Sequence, residues 1–364
     1  MRKIGISIVV ILLALLVFKG KLEGFFFKQE NIGRVLTVDN NDAIVQGISK
    51  IGSQYLNVEI LTGEHKGKTL EVRNLLSGSM EYDKFYKEKD KILMVVTDDN
   101  GELKGKALSL LRIEKIGGLA FIFVSLLIVY ARKVGVQSLL SFIGSVAIIW
   151  EYLIPALKKG ENVFMITIFT LILLSALIIF LVAGFTKKGT SAFLGTMSGL
   201  FVTAALTFLF GDTFRIDGMN QPLAQSVVFS SAMSINILDI FYSAIVIGAS
   251  GAAMDIAMDM TATIQELKYH NPEISRKDLI KSGFNVGRSV IGTMTTTLLL
   301  AYSGGFLTLL ILFLERDTTI LQILNMKLVV SEIIKIIIGS IGLVVVAPIT
   351  TYIASFIYSM ENKK

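Results

Sequence analysis

"VFMITIFTLILLSALIIFLVAGF", residues 163–185, contains no Asp, Glu, Lys, Arg or His. A helix over this stretch is ~34 Å long at 1.5 Å per residue, enough to cross the ~30 Å hydrocarbon core of a bilayer. A helix on a soluble surface keeps a polar face, and this one has none. The stretch therefore predicts a membrane span, and its neighbours repeat the pattern. Apolar runs at 116–131, 134–156, 191–210, 237–260, 287–313 and 333–357 have comparable length. A shorter run from Ile4 to Phe18, behind Met1-Arg2-Lys3, is expected to be an uncleaved signal anchor, because no small-residue cleavage site follows it. The expectation is an α-helical polytopic membrane bundle of about eight transmembrane helices.

Composition agrees with that reading. The chain has 364 residues, of which 53% are hydrophobic and only 18% charged, too few charges for a soluble protein of this size. Its net charge of +6 comes from basic residues at the ends of apolar runs, so it implies no nucleic-acid partner. Cysteine is absent, which excludes disulfides and thiolate metal sites.

Residues 23–115 differ from both flanks. Turn signals such as "DNND" (39–42) and "DDNG" (98–101) separate "GRVLTV", "LNVEIL", "TLEVRNLL" and "KILMVV". Short apolar runs bounded by Gly, Asn and Asp predict β-strands joined by hairpins. Four or five strands in this length make a small barrel or sandwich, with an OB-like barrel among the options. Three parts follow: an anchor over 1–22, a β domain over 23–115 and a seven-helix domain over 116–364.

The basic residues orient these parts. Arg132-Lys133, Lys187-Lys188, the group Lys268, Arg276, Lys277, Lys281 and Arg288, and Lys363-Lys364 fall on alternate connections. Cytoplasmic segments are enriched in Lys and Arg, so both termini are expected inside and the β domain outside a bacterial inner membrane. Segment 221–236, "QPLAQSVVFSSAMSIN", is too polar for a lipid-facing span and is expected to be interfacial or re-entrant.

Two catalytic motifs fail on chemistry. "GEHKGKT" (63–69) has one residue too few between its glycines for a phosphate loop, and it precedes a strand-like run where a phosphate needs a helix N-terminus. "GASG" (248–251) matches the G-x-S-G of rhomboid-type serine proteases. The two histidines, His65 and His270, are on no span, so Ser250 has no base and reads as a packing residue. No nucleophile–base pair or metal cluster remains, and the chain is expected to be no enzyme, with no cofactor and no metal.

The polar residues of the sixth and seventh expected spans are the site candidates. Asp255 and Asp259, at i and i+4, share a helical face. If the span begins near Ile240, Asp255 is ~22 Å along it, within the hydrocarbon. A carboxylate there costs at least ~2.5 kcal/mol unless it faces water or the bundle interior, which makes the pair a candidate proton or cation site. Gly248, Ser250 and Gly251 precede it. In the seventh span Gly283, Gly287 and Gly292 allow close helix approach, and Thr293, Thr295, Thr296 and Thr297 offer hydroxyls for packing or for a pathway. Arg288 either snorkels to the cytoplasmic border or pairs with Asp259. Near the outer end of the eighth span Glu332 and Lys335, three residues apart, are expected to pair.

The order of anchor, external β domain and seven further spans resembles the YibE/F family of bacterial membrane proteins. "GASGAAMDIAMDMTATIQEL" (248–267) and "SGFNVGRSVIGTMTTTLLLAYSGG" (282–305) carry the resemblance most specifically. It implies a polytopic cell-membrane protein and brings no established reaction or substrate. A weaker similarity links the order of elements to RND-type transporters and the SecD/SecF translocation factors, in which intramembrane aspartates carry protons. Only Asp255 and Asp259 match that role, and this chain has two more spans and a smaller external domain. The leading expectation is a transporter or permease for a small solute or ion, coupled through Asp255. The alternative is an accessory or sensory protein whose β domain binds an envelope component. Besides lipid, the partner classes left open are an envelope protein and a second copy of the chain.

Overall fold

A computed structural model of the chain describes residues 30–80, 82–99, 102–160, 162–230, 236–315 and 318–360. The expected anchor, and residues 231–235 of the segment 221–236, lie outside the described residues. Two compact units divide the described residues, one over 30–130 and one over 131–360.

The first unit is built from six strands: β1 (Glu30–Asp39), β2 (Ala43–Gln46), β3 (Ser49–Ile60), β4 (Thr69–Ser77), β5 (Lys91–Asp99) and β6 (Glu102–Leu110). The four expected runs lie in β1, β3, β4 and β5, and β2 and β6 join them. Strict alternation of β4, TLEVRNLLS, buries every second side chain, the period-2 signature of a one-sided strand. The order β1–β5–β6–β4–β3 closes through β1–β3 pairing, with β4–β6 parallel and the other pairs antiparallel. This is a five-stranded barrel, with β2 extending its wall as a hairpin on β3. Val35, Leu56, Val58, Ile60, Val72, Ile92 and Met94 fill it. Gly105 faces inward, where a methyl would stand 2.4 Å from Leu70 Cδ1.

A buried amide network ties the long β4–β5 loop to the wall. Gln54 Nε2 donates to Tyr86 O (2.8 Å) and Asn40 Oδ1 (2.9 Å), and its Oε1 accepts from Tyr86 N (3.0 Å) and Asn74 Nδ2 (3.2 Å). Asn74 also donates to Lys84 O (2.6 Å). Burial pushes the Tyr86 phenol up to about 12. "GEHKGKT" forms the β3–β4 turn, with Gly63 and Gly67 at φ +88° and +85°, and no helix follows it.

The remaining elements are helical: α1 (Ile113–Ile148), a π-helical turn (Ile149–Leu153), α2 (Ile154–Lys158), α3 (Val163–Ala183), α4 (Lys187–Gly211), α5 (Ala224–Ser230), α6 (Ile237–His270), α7 (Arg276–Gly304), α8 (Leu307–Glu315), α9 (Ile320–Asn325) and α10 (Lys327–Ser359). Among the described residues five helical stretches are long and apolar enough to cross a membrane: 113–158, α3, α4, α6 and α10.

The expected spans 116–131 and 134–156 form one stretch, interrupted at Arg132, whose φ of +49° leaves the helical region. The expected span 287–313 differs more. Its helix starts eleven residues earlier, at Arg276, stops at Gly304 and resumes as α8 after the turn Gly305-Phe306. Its polar residues keep α7 out of the apolar set.

In the second unit α4, α6 and α10 pack against one another, with α3 on α4 and α6, and α7 on α6 and α10. Leu200, Val246, Ile256, Ala257, Met260, Leu343 and Val346 are buried at the centre. Small residues set the spacing of α4 and α10. A methyl on Gly199 would meet Val346 Cγ2 at 2.0 Å, one on Gly195 the Thr350 hydroxyl at 2.0 Å, and one on Gly342 the Thr203 hydroxyl at 1.9 Å. Such glycines let helix backbones approach and gain dispersion contact. A buried hydroxyl pair, Thr167 with Ser243 at 2.7 Å, joins α3 to α6.

Candidate functional site

The 34-residue α6 is capped at Asn236, whose Oδ1 accepts from Leu238 N (3.0 Å). Its core face carries Val246, Ala249, Ser250, Ala253, Ile256, Ala257, Met260 and Ile264, all buried. The opposite side is exposed at Ala244, Gly248, Gly251, Asp255 and Asp259. Steps of four, three, four and four residues keep these positions on one line of a 3.6-residue helix. The helix runs ten residues past the expected span end and carries His270 as its last residue, a position expected to be loop.

Helix α7 is two-sided in the same way. Gly283 and Gly287 face inward, where a methyl on Gly283 would stand 2.5 Å from Thr351 and one on Gly287 3.4 Å from Met260 Cε. Asn285, Arg288, Ser289, Gly292, Thr293 and Thr296 are exposed on the other side. The threonine hydroxyls donate to their own helix: Thr293 to Val290 O (3.0 Å), Thr296 to Gly292 O (3.3 Å) and Thr297 to Thr293 O (3.0 Å). Each proton is thereby used internally, and the oxygen lone pairs remain as acceptors.

The structure exposes most of the expected site residues, but on separate helix faces. Asp255, Asp259, Gly248 and Gly251 share one exposed line of α6, and Arg288, Gly292, Thr293 and Thr296 are exposed on α7, where Phe284, one turn before Arg288, packs on Tyr352 of α10. Gly287 is buried and packs between α6 and α10, 3.7 Å from Ala347 at its methyl position. Ser250 is buried, and its hydroxyl donates to Ile247 O (2.7 Å), a packing role. Arg288 forms no ion pair or hydrogen bond with any described residue, so the expected pairing with Asp259 is not made within the chain. The carboxylates of Asp255 and Asp259 are likewise unpartnered among the described residues. Asp255 does not look into the helical core; it faces outward with Asp259. Asn285 and Ser289 were not singled out from sequence, although the 285–289–293 spacing marks them.

Gly251 and Gly292 differ from every glycine of the α4–α10 seam: a methyl on either would have nothing within 4 Å. Thr295 and Thr296 both line a groove that α7 forms with α10, together with Leu299, Ile336, Ile337 and Ser340. No group of three His, Asp or Glu side chains among the described residues could hold a metal ion.

A second polar group ties the segment before α5 to the start of α10. Asp217 pairs with Lys327 Nζ (2.9 Å), Asn220 Nδ2 donates to Ser331 Oγ (2.5 Å), and Lys335 Nζ reaches Gln221 (3.2 Å) and Glu332 (2.6 Å). The expected Glu332–Lys335 pair is present and largely shielded, with side chains 13% and 11% exposed. Its partners in 217–221 are 110 or more residues away in sequence, beyond the reach of local pattern reading.

No curated protein and no solved structure matches the chain. Two family models do. The YibE/F family N-terminal domain matches residues 26–110, the barrel, and the YibE/F-like protein model matches residues 119–360, the helical region that carries α6 and α7. Barrel and helices together place the chain in the YibE/F family.

Proposed function

We propose that the chain is a multi-pass inner-membrane protein that moves a small solute or ion along the exposed α6 line of Gly248, Gly251, Asp255 and Asp259. In this reading both termini are cytoplasmic, the barrel is extracytoplasmic and eight spans include residues 4–18. One observation carries it: two carboxylates, a guanidinium and a row of hydroxyl oxygens lie exposed on helices packed into an apolar bundle. Such groups do not face acyl chains, and intramembrane ionisable residues line water-filled routes or proton relays. Two carboxylates one helical turn apart suit a proton or a hydrated cation better than an anion. Asp255, ~6 Å deeper than Asp259 by helix rise, is the coupling residue.

The test uses proteoliposomes loaded with a pH-sensitive dye, under an imposed potassium diffusion potential, with Na+, K+ or Mg2+ outside. Wild-type chain conducts protons or exchanges them for one of these cations, and Asp255→Asn abolishes that flux. Equal flux with wild type and Asp255→Asn ends the coupling role, and no flux with any of these ions ends the proton or cation reading.

A second reading rests on the barrel. The tip of the β2–β3 hairpin exposes Ile44, Val45 and Ile48, the last 87% exposed. An apolar tip on a barrel wall suits an accessory protein that docks an envelope component. Capture of an envelope protein that is lost on Ile48→Asp, together with no flux of any ion above, favours this reading.

A further inference from the structure

We infer that residues 216–223 are a hinged strap that closes over the buried Glu332–Lys335 pair of α10 and lifts from it as one piece about Arg215 and Leu223. The strap is a conformational device in its own right and does not depend on transport along α6.

Three polar side-chain contacts hold the strap down. Asp217 meets Lys327 (2.9 Å), Asn220 meets Ser331 (2.5 Å) and Gln221 meets Lys335 (3.2 Å). Lys327, Ser331 and Lys335 are four residues apart, so they form one row on a face of α10. Water can take the place of each strap partner, and an exchange of that kind changes the free energy little. The α4–α10 seam is joined differently, by close contact at Gly195, Gly199 and Gly342. Segments held by few apolar contacts open at the lowest free energy, and in this segment Ile216 is buried while Leu223 is exposed.

Beneath the strap lies an ion pair rather than an apolar surface. Glu332 and Lys335 are 2.6 Å apart and shielded, and Lys335 Nζ stands 5.4 Å from the centre of the Phe241 ring. Desolvating two charges costs more than burying apolar side chains of similar volume. A second state in which the pair is hydrated accounts for its presence here. Both charges belong to α10, three residues apart, so they stay paired as the strap lifts and neither is left alone. Only the bond to Gln221 is exchanged for water.

The ends of the strap have the backbone of hinges. Among the described residues four that are not glycine have a positive φ, and two of them bracket this segment: Arg215 at +49° and Leu223 at +61°. A left-handed conformation strains a residue with a long or branched side chain, and it persists only where the surrounding structure imposes it. Lifting the strap lets both residues relax. The other positive φ, +72°, belongs to Gly218, where it carries no such strain. That glycine also lets the closed strap rest on α6, since a methyl there would stand 2.8 Å from Ile237 O.

Because the chain has no cysteine, Ser331→Cys places a single thiol against Asn220, and Ser250→Cys places one in the helical core away from the ladder. The purified full chain in nanodiscs carries one or the other, and its reaction with a charged maleimide is timed. Asp217→Asn with Gln221→Ala cuts two of the three contacts and is expected to speed labelling at Ser331→Cys about fivefold. Arg215→Gly with Leu223→Gly removes the strain from the closed strap and is expected to slow it about fivefold. Labelling at Ser250→Cys stays the same in every background. Equal rates at Ser331→Cys in all backgrounds, or no reaction in any, overturn the inference, and so does a rise shared by both thiols. A second variant reads the closed state. Asn220→Cys with Ser331→Cys is expected to oxidise to a disulfide within the chain and to slow hydrogen exchange of residues 216–223, and failure of either also overturns the strap.

Discussion

Two sets of glycines on these helices have the same one-letter symbol and opposite surroundings. Along the α4–α10 seam Gly195, Gly199 and Gly342 are pressed so closely that an added methyl would overlap a neighbouring side chain. On the exposed sides of α6 and α7, a methyl on Gly251 or Gly292 would have nothing within 4 Å. The seam is finished within one chain, because its holes are already filled by Val346, Thr350 and Thr203. Gly251 and Gly292 have no such partner among the described residues. Glycine content alone therefore does not separate a packing surface from a functional one; the neighbour does.

The sharpest way to break this contrast is to enlarge the seam. Gly199→Leu places a branched side chain where even a methyl finds 2.0 Å, and the chain is expected to lose its fold, with little protein recovered from the membrane. Gly199→Ala is the milder form, expected to cost about 1–3 kcal/mol and to lower the unfolding temperature in detergent. If Gly199→Ala unfolds at the wild-type temperature, the seam is not the close-packed joint described.

An intermediate effect, of the opposite sign, is expected at the exposed glycines. Gly251→Ala and Gly292→Ala leave stability unchanged or raise it by up to about 1 kcal/mol, through helix propensity. The unfolding temperature in detergent reads this effect. Equal losses of stability at the seam and at these two glycines would erase the distinction.

The smallest effect belongs to the exposed pair outside the bundle. Hydrogen bonding from Lys327, then from Met219 N, holds the Asp217 carboxyl below its ordinary value. A depressed carboxyl contributes stability above its unfolded pKa and loses it as pH falls through the folded value, so the contribution is present at neutral pH and disappears below about pH 4. The pair is exposed, which keeps the effect well under 1 kcal/mol. A drop at low pH in the hydrogen-exchange protection of residues 216–223, measured against their intrinsic rates and absent in Asp217→Asn, is the expected observation.

Much of this was legible from local pattern. Asp255 and Asp259 share a face because the helical period is a property of any three or four consecutive turns. The apolar lengths of α3, α4 and α10 show in the residues themselves, as does the alternation of β4. The misjudged boundaries have local reasons too. The start of α7, "RKDLIKSGFNVG", is too polar to read as part of a span, yet it packs through Leu279 and Gly283 while its charges point outward. The tail of α6 is similarly charged and still helical to His270. Strand β6, with Lys104 and Lys106 interleaved, lacks the apolar run that marked its neighbours.

By itself the sequence determined the division into a β domain and apolar helices, the placement of two carboxylates on one helical face, and the absence of cysteine chemistry. These depend on residue type and on spacings of a few positions. Only the tertiary structure decided that five strands close into a barrel through β1–β3 and a parallel β4–β6 pair, that Gln54 anchors Tyr86, and that Gly199 is filled while Gly251 is open. Those facts depend on what arrives from 16 to 147 residues away, and no local period encodes the neighbour across a helix or a strand.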